Sequence, residues 1–155
     1  MPHALLFANA LKELSAGLGL GELQFDDDGL IHLDVESVAG LALRRDEDRR
    51  SLVLAGVIAP VSEVLLAALA PDLLALALVP MTADVPCLGY DDDGEILMAY
   101  QVIPLREDDG QGVVMGAFSG FLAYIATAQR LLATANANLS RHDGANAAPA
   151  AYVRV

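Results

Sequence analysis

The apolar positions switch between a helical and an alternating period four times along the chain. Phe7, Leu11, Leu14 and Leu18 fall at i, i+4, i+7 and i+11, with Asn9, Lys12 and Glu13 left for solvent, which predicts a helix over residues 4–16. Gly17, Gly19 and Gly21 end it. Residues 23–25, the run Asp26-Asp27-Asp28-Gly29 and residues 30–35 read as an extended segment, a tight turn and a second extended segment, a hairpin. In the second of these, Ile31, Leu33 and Val35 point one way and Leu30, His32 and Asp34 the other. Residues 41–44 and 51–58 are further strands, joined by six consecutive charges from Arg45 to Arg50 that belong in water.

Pro60 is placed to open a helix over residues 61–70, with Glu63 near the positive end of its dipole and Pro71 interrupting it. With one charge in ten residues this helix has no solvent face of its own, so in a domain of this size it is expected to meet another chain. Residues 72–79 read as a short second helix or strand, and 80–86 as a loop. Residues 87–90, the run Asp91-Asp92-Asp93-Gly94 and residues 95–103 make another hairpin. Val114, Phe118, Phe121, Ile125, Ala128 and Leu132 then mark a long helix over about 113–135. Residues 136–155 are rich in Ala and Asn with no apolar period, which predicts a disordered tail behind one domain at 1–135. The order is α+β: helix, three antiparallel strands, helix, two strands, long helix.

Composition narrows the partners. A 155-residue chain that is 55% hydrophobic can build its core without disulfide or metal, yet 21 acidic against 9 basic residues leave a net charge of -12. Such a surface repels phosphate backbones and anionic lipid heads, and Lys12 is the single lysine, so nucleic acid is excluded as a partner. Cys87 has no disulfide mate, His3, His32 and His142 show no zinc spacing, and Lys12 and Glu13 interrupt any secretory leader, which together favour the cytoplasm. Residues 110–129 carry no charge and hold Gly112, Gly116 and Gly120 at GxxxGxxxG spacing. Gln111, Ser119, Thr127 and Gln129 dilute that stretch, so a buried helix is expected there and no stable membrane insertion.

Catalytic chemistry finds no foothold. Cys87 lacks a basic cluster and reads as a small buried hydrophobe; His32 reads as a half-exposed structural histidine. There is no GxGxxG and no phosphate loop. The two Asp-Asp-Asp-Gly runs fail as EF-hands, since Gln24 or Gly89 would stand first and Val35 or Tyr100 last where carboxylates are required. The expectation is a protein that is not an enzyme and uses no cofactor or metal.

Four features carry a resemblance: the leading helix from Leu5-Leu6 to Leu18 with its glycine break, the strands around Phe25-Asp26-Asp27-Asp28-Gly29-Leu30-Ile31, the helix from Pro60 to Ala70, and the strand after Tyr90-Asp91-Asp92-Asp93-Gly94-Glu95-Ile96-Leu97-Met98. In this order, at this length and acidity, the chain resembles the class I type III secretion chaperones, the Tir chaperone family, over about residues 5–132. The resemblance implies a homodimer in the bacterial cytoplasm that binds the N-terminal, non-globular segment of a secreted effector and keeps it secretion-competent. It also implies a dimer interface built from the apolar helix and the strand at 95–103, with Val61, Val64, Leu65, Leu66, Leu69, Ile96 and Met98 contributing. The first helix and early strands would offer the effector apolar grooves, for which Leu5, Leu6, Leu11, Ile31, Leu33 and Leu43 are the candidates. The main alternative is a cytoplasmic binding or sensory module of the YbjN-like family, with the same general fold. Further alternatives are an enzyme assembled from His32, Asp34 and Cys87, and a membrane-associated protein anchored through residues 112–128.

Overall fold

The computed structural model describes residues 3–36, 38–77 and 86–146. In chain order it places α1 (His3–Leu18), β1 (Leu30–Val35), β2 (Val38–Asp46), β3 (Ser51–Pro60), α2 (Glu63–Ala77), β4 (Cys87–Asp91), β5 (Ile96–Pro104) and α3 (Val113–Asn146). The strands form one sheet in the order β1-β2-β3-β5-β4, with antiparallel neighbours throughout. This is the α+β order that the periodicity predicts. Because β3 and β4 flank β5 and both oppose it, they run parallel, and α2 is the crossover between them.

Alternation decides which face of the sheet is covered. Ile31 and Leu33 of β1, Leu41 and Leu43 of β2, Leu52, Leu54 and Ile58 of β3, and Leu97, Ala99 and Ile103 of β5 are all buried. They share one core with Leu6, Phe7, Leu11 and Leu14 of α1, Leu69 and Leu73 of α2, and the α3 stripe Val114, Phe118, Phe121, Ile125, Ala128 and Leu132. At Gly56 the α3 residue Ile125 lies close over β3: a Cβ there would lie 2.9 Å from Ile125 Cδ1 and 3.2 Å from Val38 Cγ1. On the opposite face, the alternate residues Val53, Ala55, Val57, Met98 and Val102 are half-buried and Tyr100 is exposed.

Several expectations are corrected. Among the described residues no strand pairs with residues 23–25, so the first hairpin does not form beyond its turn; Phe25 is drawn to α1 instead of β1. Pro60 closes β3 opposite Ile96, and Ser62 caps the helix that follows, its Oγ accepting the Leu65 N–H at 3.4 Å. Pro71 does not end α2, because Leu69 and Leu73 on either side of it are both buried and packing holds the helix across a residue that disfavours it by about 3 kcal/mol. Residues 78–85, including most of the expected loop, lie outside the described residues. At the far end α3 continues past Ala135 to Asn146. Alanine sustains a helix without an apolar period, and Thr134 and Ser140 return their hydroxyls to the carbonyls of Arg130 and Asn136 within it. Of the expected tail, residues 147–155 lie outside the described residues.

One hydrogen bond ties α1 to the first turn of α3. The N-terminus of a helix presents N–H groups without intrahelical partners, and Glu13 of α1 accepts one of them, Met115 N–H, at 2.7 Å. Glu13→Ala is expected to lower stability by about 1 kcal/mol, the usual worth of a cap, and Glu13→Gln to recover part of it. Chemical denaturation of the two variants measures this; equal midpoints for Glu13→Ala and the parent would show that the contact contributes nothing.

Candidate binding surfaces

Helix α1 has two unlike flanks. Leu6, Phe7, Ala10, Leu11 and Leu14 are buried, while Ala4, Ala8, Lys12 and Ala16 are exposed on the other side. The chain turns back after Leu18 through Gly19, at φ 65°, and runs alongside α1 as an unpaired extended segment. Between them lies an open groove of about 850 Å³ lined by Phe7, Leu11, Leu20, Leu23 and Phe25, with Lys12, Arg45 and Glu47 at its rim. Small alanines on the α1 side leave the room, and the leucines and phenylalanines of both walls make it apolar.

Aromatic packing fixes the far wall. Phe25 meets Phe7 edge to face, with centroids 6.2 Å apart and planes at 86°. The Arg45 guanidinium lies 5.6 Å from the Phe25 centroid and its Nε is 3.3 Å from Glu47. The ion pair is exposed and adds little stability; its effect is to orient the arginine over the ring.

A second apolar surface lies on α2. Val64 is 72% exposed and Leu74 is 64% exposed, and Ala67, Ala68 and Pro71 between them are exposed as well. These positions fall on one stripe of the helix, opposite to Leu69 and Leu73. The start of α2 is tied to the sheet by Tyr90, whose hydroxyl donates to the Val61 carbonyl at 3.1 Å. Partial burial, with the carboxylates of Glu95, Asp92, Glu63 and Asp91, holds that phenol above its ordinary pKa, so it remains a donor well into alkaline solution.

Of the residues the sequence nominates for client binding, Leu5 is exposed; Leu11 is buried but lines the floor of the groove, and Leu6, Ile31, Leu33 and Leu43 are buried without lining it. Of those nominated for the interface, Val64 is exposed, Leu65, Leu66, Ile96 and Met98 are half-buried, and Val61 and Leu69 are core residues. Phe7, Leu20, Leu23, Phe25 and Arg45 in the groove and Leu74 on α2 are not marked as binding residues by the sequence alone. Phe7 and Phe25 are two of only four phenylalanines in the chain, which is the one local signal that could have marked them. Cys87, expected inside, is exposed, because it stands at the start of an edge strand and opposite the exposed Tyr100. His32 is exposed on β1. Among the described residues no three His, Cys, Asp or Glu side chains converge in a metal-binding group, and no helix is long and apolar enough to cross a membrane.

Comparison with known proteins places this arrangement. A structure of the HopA1-SchA chaperone-effector complex superposes with a TM-score of 0.65 at 28% identity, over 81% of this chain and 94% of the other. The ExsC-ExsE complex gives 0.61 at 22% identity over 81% and 92%. The Yersinia pestis type III secretion chaperone SycH, in complex with a stable fragment of YscM2, gives 0.60 at 15% identity over 78% and 98%. The last two likenesses show the shared fold. Curated protein sequences give no significant match. The model of the Tir chaperone protein (CesT) family matches residues 9–112, more than half of the sequence, and the chain belongs to that family of type III secretion chaperones.

Proposed function

We propose that this protein is a homodimeric class I type III secretion chaperone that binds the N-terminal, non-globular segment of a secreted effector and keeps it soluble and secretion-competent. The observation that carries the reading is the apolar groove between α1 and residues 20–25, on a chain whose family is that of chaperones. A structural relative at 28% identity is a chaperone in complex with an effector. Binding of this kind needs no bond making: alternate side chains of an extended segment enter apolar sites, and its backbone can pair with an open sheet edge. The role is that of a binding protein in the bacterial cytoplasm, not an enzyme. Two copies would meet through the Val64–Leu74 stripe of α2, with Ile96 and Met98 of β5 alongside.

The test is a pull-down of the tagged protein from its own bacterium, with light scattering on the eluate. A dimer of twice 16.2 kDa carrying a secreted protein bound through its N-terminal region is the expected result. A clean monomer with nothing bound would overturn the reading. Ala8→Asp with Leu20→Asp places charge on the groove walls at exposed positions. This pair is expected to reduce client recovery at least tenfold while leaving the melting temperature nearly unchanged, since surface substitutions away from special features shift stability by about 0.5 kcal/mol or less. Undiminished recovery would move the client site elsewhere.

A further inference from the structure

The chain holds one local motif twice, in two conformations. Tyr90-Asp91-Asp92-Asp93-Gly94-Glu95-Ile96 closes the β4–β5 hairpin, with Tyr90 opposite Leu97 and Asp91 opposite Ile96. Phe25-Asp26-Asp27-Asp28-Gly29-Leu30-Ile31 forms a turn but, among the described residues, no second strand, and β1 is there the edge of the sheet. Yet the turn itself is that of a hairpin. Asp26 N–H donates to Leu30 O at 2.9 Å, Gly29 N–H donates to Asp26 O at 3.0 Å, and Gly29 sits at φ 75°, the three-residue loop that joins antiparallel strands. The Asp26 carboxylate secures it further, accepting the N–H groups of Asp28 and Leu30.

Register follows from that first rung. Arg45 N–H donates to Gly29 O across the β1–β2 side, so by parity Ile31 and Leu33 bond inward to β2 while the backbone groups of His32 face the open edge; the register shift between Leu33 and Val35 places its extra residue on β2, so Asp34 keeps the outward parity of β1. Extended from Asp26–Leu30, the pairing sets Phe25 opposite Ile31, Gln24 opposite His32, Leu23 opposite Leu33 and Glu22 opposite Asp34. The side chains already alternate for it: Leu23 and Phe25 are half-buried toward α1, and Glu22 and Gln24 are exposed. One pair opposes closure, since Glu22 and Asp34 would be like charges directly across.

We infer that residues 22–25 are a sixth strand of the sheet held ajar, able to zip onto the outer edge of β1 and serve as that edge's own cover. An uncovered edge strand invites pairing with any extended chain, and a built-in strand restrains this. For its consequence, though not for its geometry, the inference rests on the chaperone reading: an extended client adding to β1 would compete with residues 22–25.

The experiment uses the full chain without a client, so its outcome is independent of whether the chaperone reading stands. Amide hydrogen exchange is followed by NMR in the parent, in Glu22→Lys, and in Glu22→Lys combined with Gln24→Pro. Glu22→Lys replaces the repulsion with an opposite-charge pair and is expected to slow exchange at His32 and Asp34 at least tenfold, leaving Ile31 and Leu33 unchanged. Adding Gln24→Pro removes the N–H that would reach His32 O and is expected to restore the parent rates. Unchanged rates at His32 and Asp34 in Glu22→Lys would overturn the inference, as would slowing by the same factor at Ile31 and Leu33 or slowing that survives Gln24→Pro.

Discussion

Replacing Val64 and Leu74 together by aspartate is expected to turn the proposed dimer into a folded monomer of 16.2 kDa. Both side chains are largely exposed in the protomer, at 72% and 64%, so the substitutions remove little internal packing. They stand on a helix whose only charges are Glu63 and Asp72, and which otherwise presents alanine and proline between them. A two-fold interface buries every residue twice, so two substitutions introduce four carboxylates without partners into an apolar contact. Taking each from water costs several kcal/mol, which weakens association by roughly a thousandfold or more. Light scattering at micromolar concentration reads the mass, and an unchanged thermal transition of the monomer's secondary structure separates loss of the dimer from loss of the fold. A variant that still ran at twice 16.2 kDa would place the interface on another surface. Leu69, which the sequence suggests as part of the interface, cannot make this distinction: it is 0% exposed, and aspartate there unfolds the protomer itself.

That contrast shows what the sequence could and could not convey. Periodicity identifies α1, α3 and the strands because burying one face demands it, and the stripe from Val114 to Leu132 is found in place, residue by residue. In α2 almost every position is apolar, so no period separates the inward residues Leu69 and Leu73 from the outward Val64 and Leu74; only the packing against α3 and β4 does. Pro71 compounds this, since local propensity argues for a break that tertiary contacts override. The groove was hidden for a related reason. Leu23 and Phe25 alternate as a strand should, but the ring of Phe25 finds Phe7 and Arg45, partners remote in sequence, and the segment departs from β1 to become a groove wall. The resemblance to secretion chaperones was legible because it lay in the order of elements and the acidity, which survive such local departures.

Phe118→Ala is expected to cost about 3–5 kcal/mol, among the largest losses available to a single substitution in this fold. Phe118 and Phe121 are both 0% exposed and are the largest side chains wholly enclosed. They lie on the stripe by which α3 packs against the sheet, between the Glu13 tie at Met115 and the close crossing of Ile125 over Gly56. With α3 held at both points, the helix cannot settle into the space the ring leaves, so the cavity remains and adds its own cost to the lost transfer energy. A domain of this size has only about 5–15 kcal/mol of stability in total, and each kilocalorie moves its midpoint by about 2–4 °C, which gives a fall of roughly 6–20 °C. Differential scanning calorimetry measures it, with Tyr124→Phe as a control on the same helix. The Tyr124 hydroxyl is enclosed without a hydrogen-bond partner among the described residues, so its removal is expected to leave the midpoint unchanged or raise it. A small loss for Phe118→Ala would show that α3 can shift onto the sheet, and hence that the Glu13 and Gly56 contacts do not hold it as the geometry implies.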